Sequence, residues 1–417
     1  MMMSKKTALA LILTVFIGAL GALVWFYFSG VGLPSKQPIK QVVDENIYDP
    51  FGTIGTSSSV ASSTESFVPV DNQNNFIIEN RLRKISEDPV SGYSVNTNQV
   101  DNKTSIHYIL RANGNIYEAY GDTTEQKRLS ITTIPKVYES SWLPGGEKLI
   151  IRYLKDNTEN IETFSVKINP ATTTLNEFEG GIDGVFLPEN ISALAINSVG
   201  DKVFYLTNNL NGSSGFISKP DGLNKSLLFS SPLIEWLVSW PKGNMITMNT
   251  KPSAKVPGYL YFLDSQTGSF SKVLGNVLGL TSKTGPGAKQ VLYSNSLRNT
   301  PRLYLLNIES GESKLLPWST LPEKCLWSNT DSAVIYCAVP KAFPSGDFPD
   351  MWYQGLVNFT DEIWKMDLET ESTTLVFDIE TETQNKIDVV DLQLDQNDDY
   401  LFFTNKTDLT LWSLNLK

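Results

Sequence analysis

The stretches NIYEAYGDTTEQKRLS (residues 115–130), YLYFLDSQTGSFSKVL (259–274), RLYLLNIESGESKLLP (302–317) and EIWKMDLETESTTLVF (362–377) repeat one pattern. Each is an apolar strand, a short acid- or glycine-bearing turn, and a second short apolar strand. Weaker copies begin at Glu162 (ETFSVKINPATTTLNEF) and Gly215 (GFISKPDGLNKSLLF). Recurrence at a few tens of residues marks a repeat architecture, whose units bury their apolar faces only against one another. Since the repeat is built from strands, the expected fold is an all-β ring, a β-propeller.

A second pattern precedes the first. SWLPGGEKLII (141–151) is echoed by AINSVGDKVFYL (195–206), SWPKGNMITM (239–248), KTGPGAKQVLYS (283–294), LWSNTDSAVIYC (326–337) and LQLDQNDDYLFF (392–403). The frame is an apolar strand, a polar turn anchored at Gly146, Gly200, Gly243, Gly287, Asp331 or Asp398, and an alternating strand. The anchors recur mostly at forty-odd residues, a propeller-blade period, with one interval stretched into the sixties.

SWLPGGEKL and SWPKGNMI resemble the Trp-Ser-Pro-Asp-Gly-Lys-type box of TolB-like propellers, a branch of the WD-repeat-like families. The resemblance covers residues 76–417 and implies that each box is the turn between the first two strands of a blade. Other copies are degenerate: Ile196 or Leu394 stands in place of the Trp, and Ser198 or Asn329 in place of the Pro. Such a box speaks for fold and says little about function.

Six boxes and an earlier segment from Ser91 give seven blades. The last blade ends in TLWSLNLK, a third strand, while RLRKIS (81–86) at the other end resembles the fourth strands QKRLS, SKVL and SKLL. The reading is therefore a seven-bladed propeller whose C-terminal blade is completed by an N-terminal strand, which removes both sheet edges.

Ahead of the ring, residues 7–28 (TALALILTVFIGALGALVWFYF) carry no charge and are long enough to cross a bilayer. Lys5 and Lys6 precede the run and an aromatic cluster closes it, which suits a signal anchor oriented N-in, C-out. A cleaved signal peptide is the alternative, with Ala19-Leu20-Gly21 as the cleavage site, but the apolar run continues past it. Residues 29–75, including GTIGTSSSVASSTES, read as a flexible tether reaching on the order of 35–40 Å. The expected location is the cytoplasmic membrane, single-pass, with the propeller on the extracytoplasmic side. A chain of 417 residues buries about three-quarters of its unfolded surface and needs no disulfide staples. Its formal net charge of −11 repels phosphate backbones, so nucleic acid is not an expected partner.

Catalytic signatures are sparse. The single histidine, His107, reads as a strand residue facing a neighbouring blade. A lone His cannot build a His-rich zinc site, and there is no G-x-S-x-G elbow or phosphate-binding glycine loop. Asp395, Asn397 and Asp399 alternate as in a calcium loop, but Tyr400 stands where Gly is required, so the segment reads as a blade turn. No cofactor or metal is expected. Cys325 and Cys337 flank a box turn, which places them opposite each other on paired strands. They read either as a disulfide or as two buried thiols, according to compartment.

The stretched interval is PKAFPSGDFPDMWYQGLVNFTD (340–361), an insertion between the second and third strands of blade six. It gathers Phe343, Phe348, Trp352 and Tyr353 on a Pro- and Gly-rich frame. Long loops on rigid scaffolds often carry binding, and exposed aromatics make interface anchors. These four residues are therefore the candidate binding residues. The competing reading is a lid with its aromatics turned inward. The expected role is a membrane-anchored module that binds envelope proteins. An enzyme acting on envelope polymers through loop carboxylates and a structural part of a surface assembly are the alternatives.

Overall fold

The computed structural model describes residues 81–417 except 99–100, 102, 156–157, 159, 170–179, 242 and 297–299. The expected anchor (7–28) and tether (29–75) lie outside the described residues. Among the described residues no helix is long and apolar enough to cross a membrane.

The described residues open with β1 (Leu82–Lys84) and then form six complete four-stranded blades. Blade 1 is β2 (Val90–Thr97), β3 (Thr104–Leu110), β4 (Ile116–Tyr120) and β5 (Gln126–Ser130). Blade 2 is β6 (Val137–Trp142), β7 (Lys148–Leu154), β8 (Ile161–Asn169) and β9 (Gly181–Phe186). Blade 3 is β10 (Ile191–Ile196), β11 (Val203–Asn209), β12 (Gly212–Ser218) and β13 (Ser226–Ser231). Blade 4 is β14 (Trp236–Ser239), β15 (Met245–Thr250), β16 (Pro257–Asp264) and β17 (Phe270–Leu278). Blade 5 is β18 (Ser282–Thr284), β19 (Gln290–Asn295), β20 (Arg302–Asn307) and β21 (Ser313–Leu315). Blade 6 is β22 (Cys325–Trp327), β23 (Val334–Pro340), β24 (Asp361–Asp367) and β25 (Thr373–Asp378). Blade 7 contains β26 (Val389–Leu394), β27 (Tyr400–Asn405) and β28 (Leu411–Asn415), and β1 is its fourth strand.

All seven sheets are antiparallel meanders, and the closing pair aligns Leu82 with Leu414, Arg83 with Ser413 and Lys84 with Trp412. The all-β seven-bladed ring and its N-terminal closing strand are as the sequence implied.

Local chemistry explains the repeat. In five blades the turn between strands one and two places a residue in the left-handed region, where a side chain is strained; the blade 6 turn at Asp331 does without one. Gly146, Gly200, Gly243 and Gly287 occupy it, and Asp398 does so in blade 7. The acid-bearing turn between strands three and four is an Asx-type turn. Asp264, Asn307 and Asp367 each accept from the backbone N–H groups two and three residues on.

Second strands are buried on both faces, as in the run Val203–Leu206 of β11, because each sheet is covered by two neighbouring blades. The core is accordingly divided into one apolar cluster per blade interface. Ile85, Tyr93 and Phe402 seal blade 7 to blade 1, and Leu82, Ile363 and Leu401 seal blade 6 to blade 7. The residues of the weighed calcium loop form a blade turn, with Asp395 Oδ1 accepting from the N–H groups of Asp399 and Tyr400. His107 bridges two blades, its Nδ1 lying 2.8 Å from the Gly146 carbonyl and its Nε2 3.4 Å from Glu118.

Candidate functional site

Residues 341–360 leave β23 and return to β24 as a lid on the ring face that carries the second-to-third-strand loops. The lid contains a one-turn helix, Asp350–Tyr353. Beneath it, Phe348, Trp352 and Phe359 pack with Leu321 as a cluster of their own, with Phe343, Val357 and Val390 against its edge. Phe348 is 0% exposed and Trp352 3% exposed. These two candidate binding residues therefore point inward and hold the lid to the ring. Phe343 is partly buried, and Tyr353 remains 42% exposed beside Leu356 at 67%.

Polar contacts fix the lid to several blades. Asp350 accepts from the backbone N–H of Ala254 at 2.6 Å, and Asp347 pairs with Lys255, both partners lying in the blade 4 loop. At the entry to blade 5 the Phe348 carbonyl would lie 2.9 Å from a Cβ at Gly279, whose φ of 62° is itself left-handed. Only glycine suits that close approach. Trp352 Nε1 donates to Asp388 Oδ2 at 2.8 Å, just ahead of blade 7.

Under Trp352 lies a charged cluster that sequence reasoning did not single out. Lys324 ends a 3-10 turn, Pro322–Lys324, ahead of β22. Its Nζ is 2.7 Å from Asp361 Oδ2 and 2.6 Å from Asp388 Oδ1, and it donates to the Val389 carbonyl at 2.9 Å. All three charged side chains are 0% exposed. Burial pushes the Asp361 carboxyl up; Lys324 opposes the shift and Asp388 adds to it, leaving a value of about 6.

Beside the cluster, Tyr353 reaches from the lid to Glu323, donating its hydroxyl to Oε1, while Thr281 donates to Oε2 at 2.9 Å. Burial raises Glu323 against the pull of these donors and of Lys283. Burial and then the Glu323 charge push the Tyr353 phenol well above its usual range. Lys283, on the first strand of blade 5, is lowered by burial and sustained by Asp391 and Glu323. Asp391, on the first strand of blade 7, is raised by burial, with Thr404 and Lys283 opposing the shift. Toward the face of the box turns, the first strands border an open cavity of 660 Å3. Tyr93, Ser140, Trp142, Asn197, Trp240 and Gln393 from five blades help to line it.

Cys325 and Cys337 are directly opposed on β22 and β23 and are joined as a disulfide, both fully buried. In the sequence, only Asp388 stands out as a charge in apolar surroundings, in Ile387-Asp388-Val389-Val390.

No protein-family model matches this sequence, and neither does any curated protein. Several solved propellers superpose on it. An oligogalacturonate lyase in complex with manganese is 11% identical, covers 80% of this chain and 98% of its own, and gives a TM-score of 0.47. TolB from Acinetobacter baumannii is 12% identical over 78% of this chain and 79% of its own, at 0.42. The Neurospora crassa Pan2 WD40 domain is 10% identical over 80% and 95%, at 0.46. The chain resembles the TolB and WD40 propellers. At these identities the likeness is one of fold. In this ring the box turns and the lid occupy opposite faces, so the lid is an addition to the loop face and leaves the repeat intact.

Proposed function

We infer that the protein is a protein-binding module, anchored in the cytoplasmic membrane through residues 7–28, with its propeller on the extracytoplasmic side and an envelope protein as partner. The observation that carries the binding role is a set of exposed apolar side chains on the lid face. Leu210, Leu233, Ile234 and Val256 are between 49% and 106% exposed, and Tyr353 and Leu356 add to them from the lid. They come from four separate connections on that face. Large exposed apolar patches are characteristic of interaction sites. The first described residue, Arg81, lies on the opposite face, beside Asn415.

Leu356→Asp and Ile234→Asp should lower capture of a partner from envelope extract about thirtyfold or more while leaving the melting temperature unchanged. Undiminished capture by the double variant refutes this face as the interface. The anchor has its own test. Protease added to spheroplasts should digest the propeller, and protection with the membrane sealed would reverse the orientation. The alternative, an enzyme acting on envelope polymers, is favoured by one observation. Glu323 and Asp391 are carboxylates raised by burial, and both interact with the charge of Lys283, a combination common in active sites. Substituting both without loss of any polymer-cleaving activity would dismiss it.

A further inference from the structure

We propose that Lys324 and Asp361 are the two halves of an intramolecular amide cross-link, closed by loss of water with Asp388 as proton carrier, which welds the base of the lid to the ring. The geometry is that of a preassembled reaction site. The amine cannot turn away. It is held by Asp361, Asp388 and the Val389 carbonyl within 2.9 Å, and the rings of Trp352 and Phe359 each lie 5.4 Å from it. Fixing two reactants in this way removes most of the entropic barrier to their joining.

The two carboxyl groups differ in a way that assigns their roles. Asp388 Oδ2 accepts from both Trp352 Nε1 and the Phe359 N–H, at 2.8 and 3.0 Å, so this group is equipped to be an anion that takes a proton from Lys324. Asp361 is equipped to be the electrophile. Its Oδ2 accepts from the Val389 N–H at 2.7 Å, whereas its Oδ1 is buried without a partner. An unsupported buried oxygen suits the neutral acid, and the raised Asp361 carboxyl agrees with that.

The step begins from an ammonium, a carboxylic acid and a carboxylate. Asp388 takes one proton from Lys324, and the freed amine attacks Cγ of Asp361. The carbonyl electron pair moves onto Oδ2, where the Val389 N–H receives the developing charge. A second proton passes within the adduct from the nitrogen to Oδ1, which leaves as water, and the carbonyl reforms. Of the three ammonium protons, one remains on the amide nitrogen, one departs in the water and one ends on Asp388. No oxidant, reductant or other reactant enters. The products are a neutral amide and a neutral acid. The reaction therefore replaces buried charges, which are expensive to hold in a dry site, with groups that are not.

The test is peptide mapping of the full chain, purified in a non-ionic detergent, reduced, denatured and digested with trypsin. Mapping at the peptide level is unaffected by any processing of the N-terminus. The expected result is a branched peptide joining residues 324 and 361, lighter by one water, with no cleavage after Lys324. Lys324→Arg, Asp361→Ala and Asp388→Asn should each restore linear peptides of full mass. Full recovery from the parent of linear peptides ending at Lys324 and spanning Asp361 would overturn the proposal and leave an ion pair. Because that result is read on the parent protein, it stands even if a variant fails to fold. A water loss that persists in Asp388→Asn would also overturn the assigned mechanism.

Discussion

Closure of the ring can be attacked at two side chains without breaking a single backbone hydrogen bond. Leu82 is 7% exposed and belongs to the cluster between blades 6 and 7, and Ile85 is 1% exposed and belongs to the cluster between blades 7 and 1. Alanine at both positions preserves the ladder, including Ile85 N–H to the Leu411 carbonyl at 2.7 Å and Asn415 N–H to the Arg81 carbonyl at 2.7 Å. Each truncation should cost about 2–4 kcal/mol as transfer energy plus residual cavity. The sites lie in different clusters, so the losses should add to about 4–8 kcal/mol. That is comparable with the whole stability of a typical domain, about 5–15 kcal/mol. The assay is urea denaturation followed by tryptophan fluorescence, since Trp412 pairs with Lys84 across the closing strands. Leu227→Ala is the control: it lies on β13, an equivalent fourth strand, but is 62% exposed, and should change stability by no more than about 0.5 kcal/mol. A double variant no less stable than this control would refute the closing role of β1.

Three further outcomes follow from the same structure. Trp352→Phe keeps most of the buried ring and removes the N–H held by Asp388, so it should cost about 1.5–3 kcal/mol in a denaturation series, whereas Trp352→Ala should cost about 3–5 kcal/mol. If neither variant moves the midpoint, the lid does not pack as described. Asp378 caps the short helix Ile379–Thr383 and pairs with Lys341 at 2.7 Å. Burial raises its carboxyl, but Lys341 and Thr381 reverse this and hold it at about 2. A carboxyl depressed in the folded state stabilises above its unfolded value of about 4, and that stability is lost as pH falls toward 2. Asp378→Asn should therefore flatten the acid side of the stability profile, and an unchanged profile would count against the pairing. Finally, Cys325 and Cys337 should resist alkylation until reduced, and replacing both with alanine should cost at most about 3 kcal/mol for so short a loop. Two thiols free in the purified protein would contradict the bond.

Much of this molecule could be read from local sequence because its turns are local devices. A left-handed position favours Gly, Asn or Asp, so Gly146, Gly200, Gly243, Gly287 and Asp398 mark five of the blades. The Asx turns at Asp264, Asn307 and Asp367 do the same for the outer hairpins. The closing strand could be recognised because residues 81–86 copy the fourth strands of other blades, and pairing follows pattern. The direction of the lid aromatics was a different kind of question. Composition concentrates Phe343, Phe348, Trp352 and Tyr353 in one loop, but whether they face inward depends on the floor they meet. That floor is Leu321 and Val390, with an acceptor at Asp388, contributed by other parts of the ring. The Lys324–Asp361–Asp388 cluster was further out of reach. Periodicity reports which face of its own strand a residue occupies. It cannot report that three isolated charges converge, because each is bearable in the interior only through the other two, and only closing the ring under the lid brings them within 3 Å.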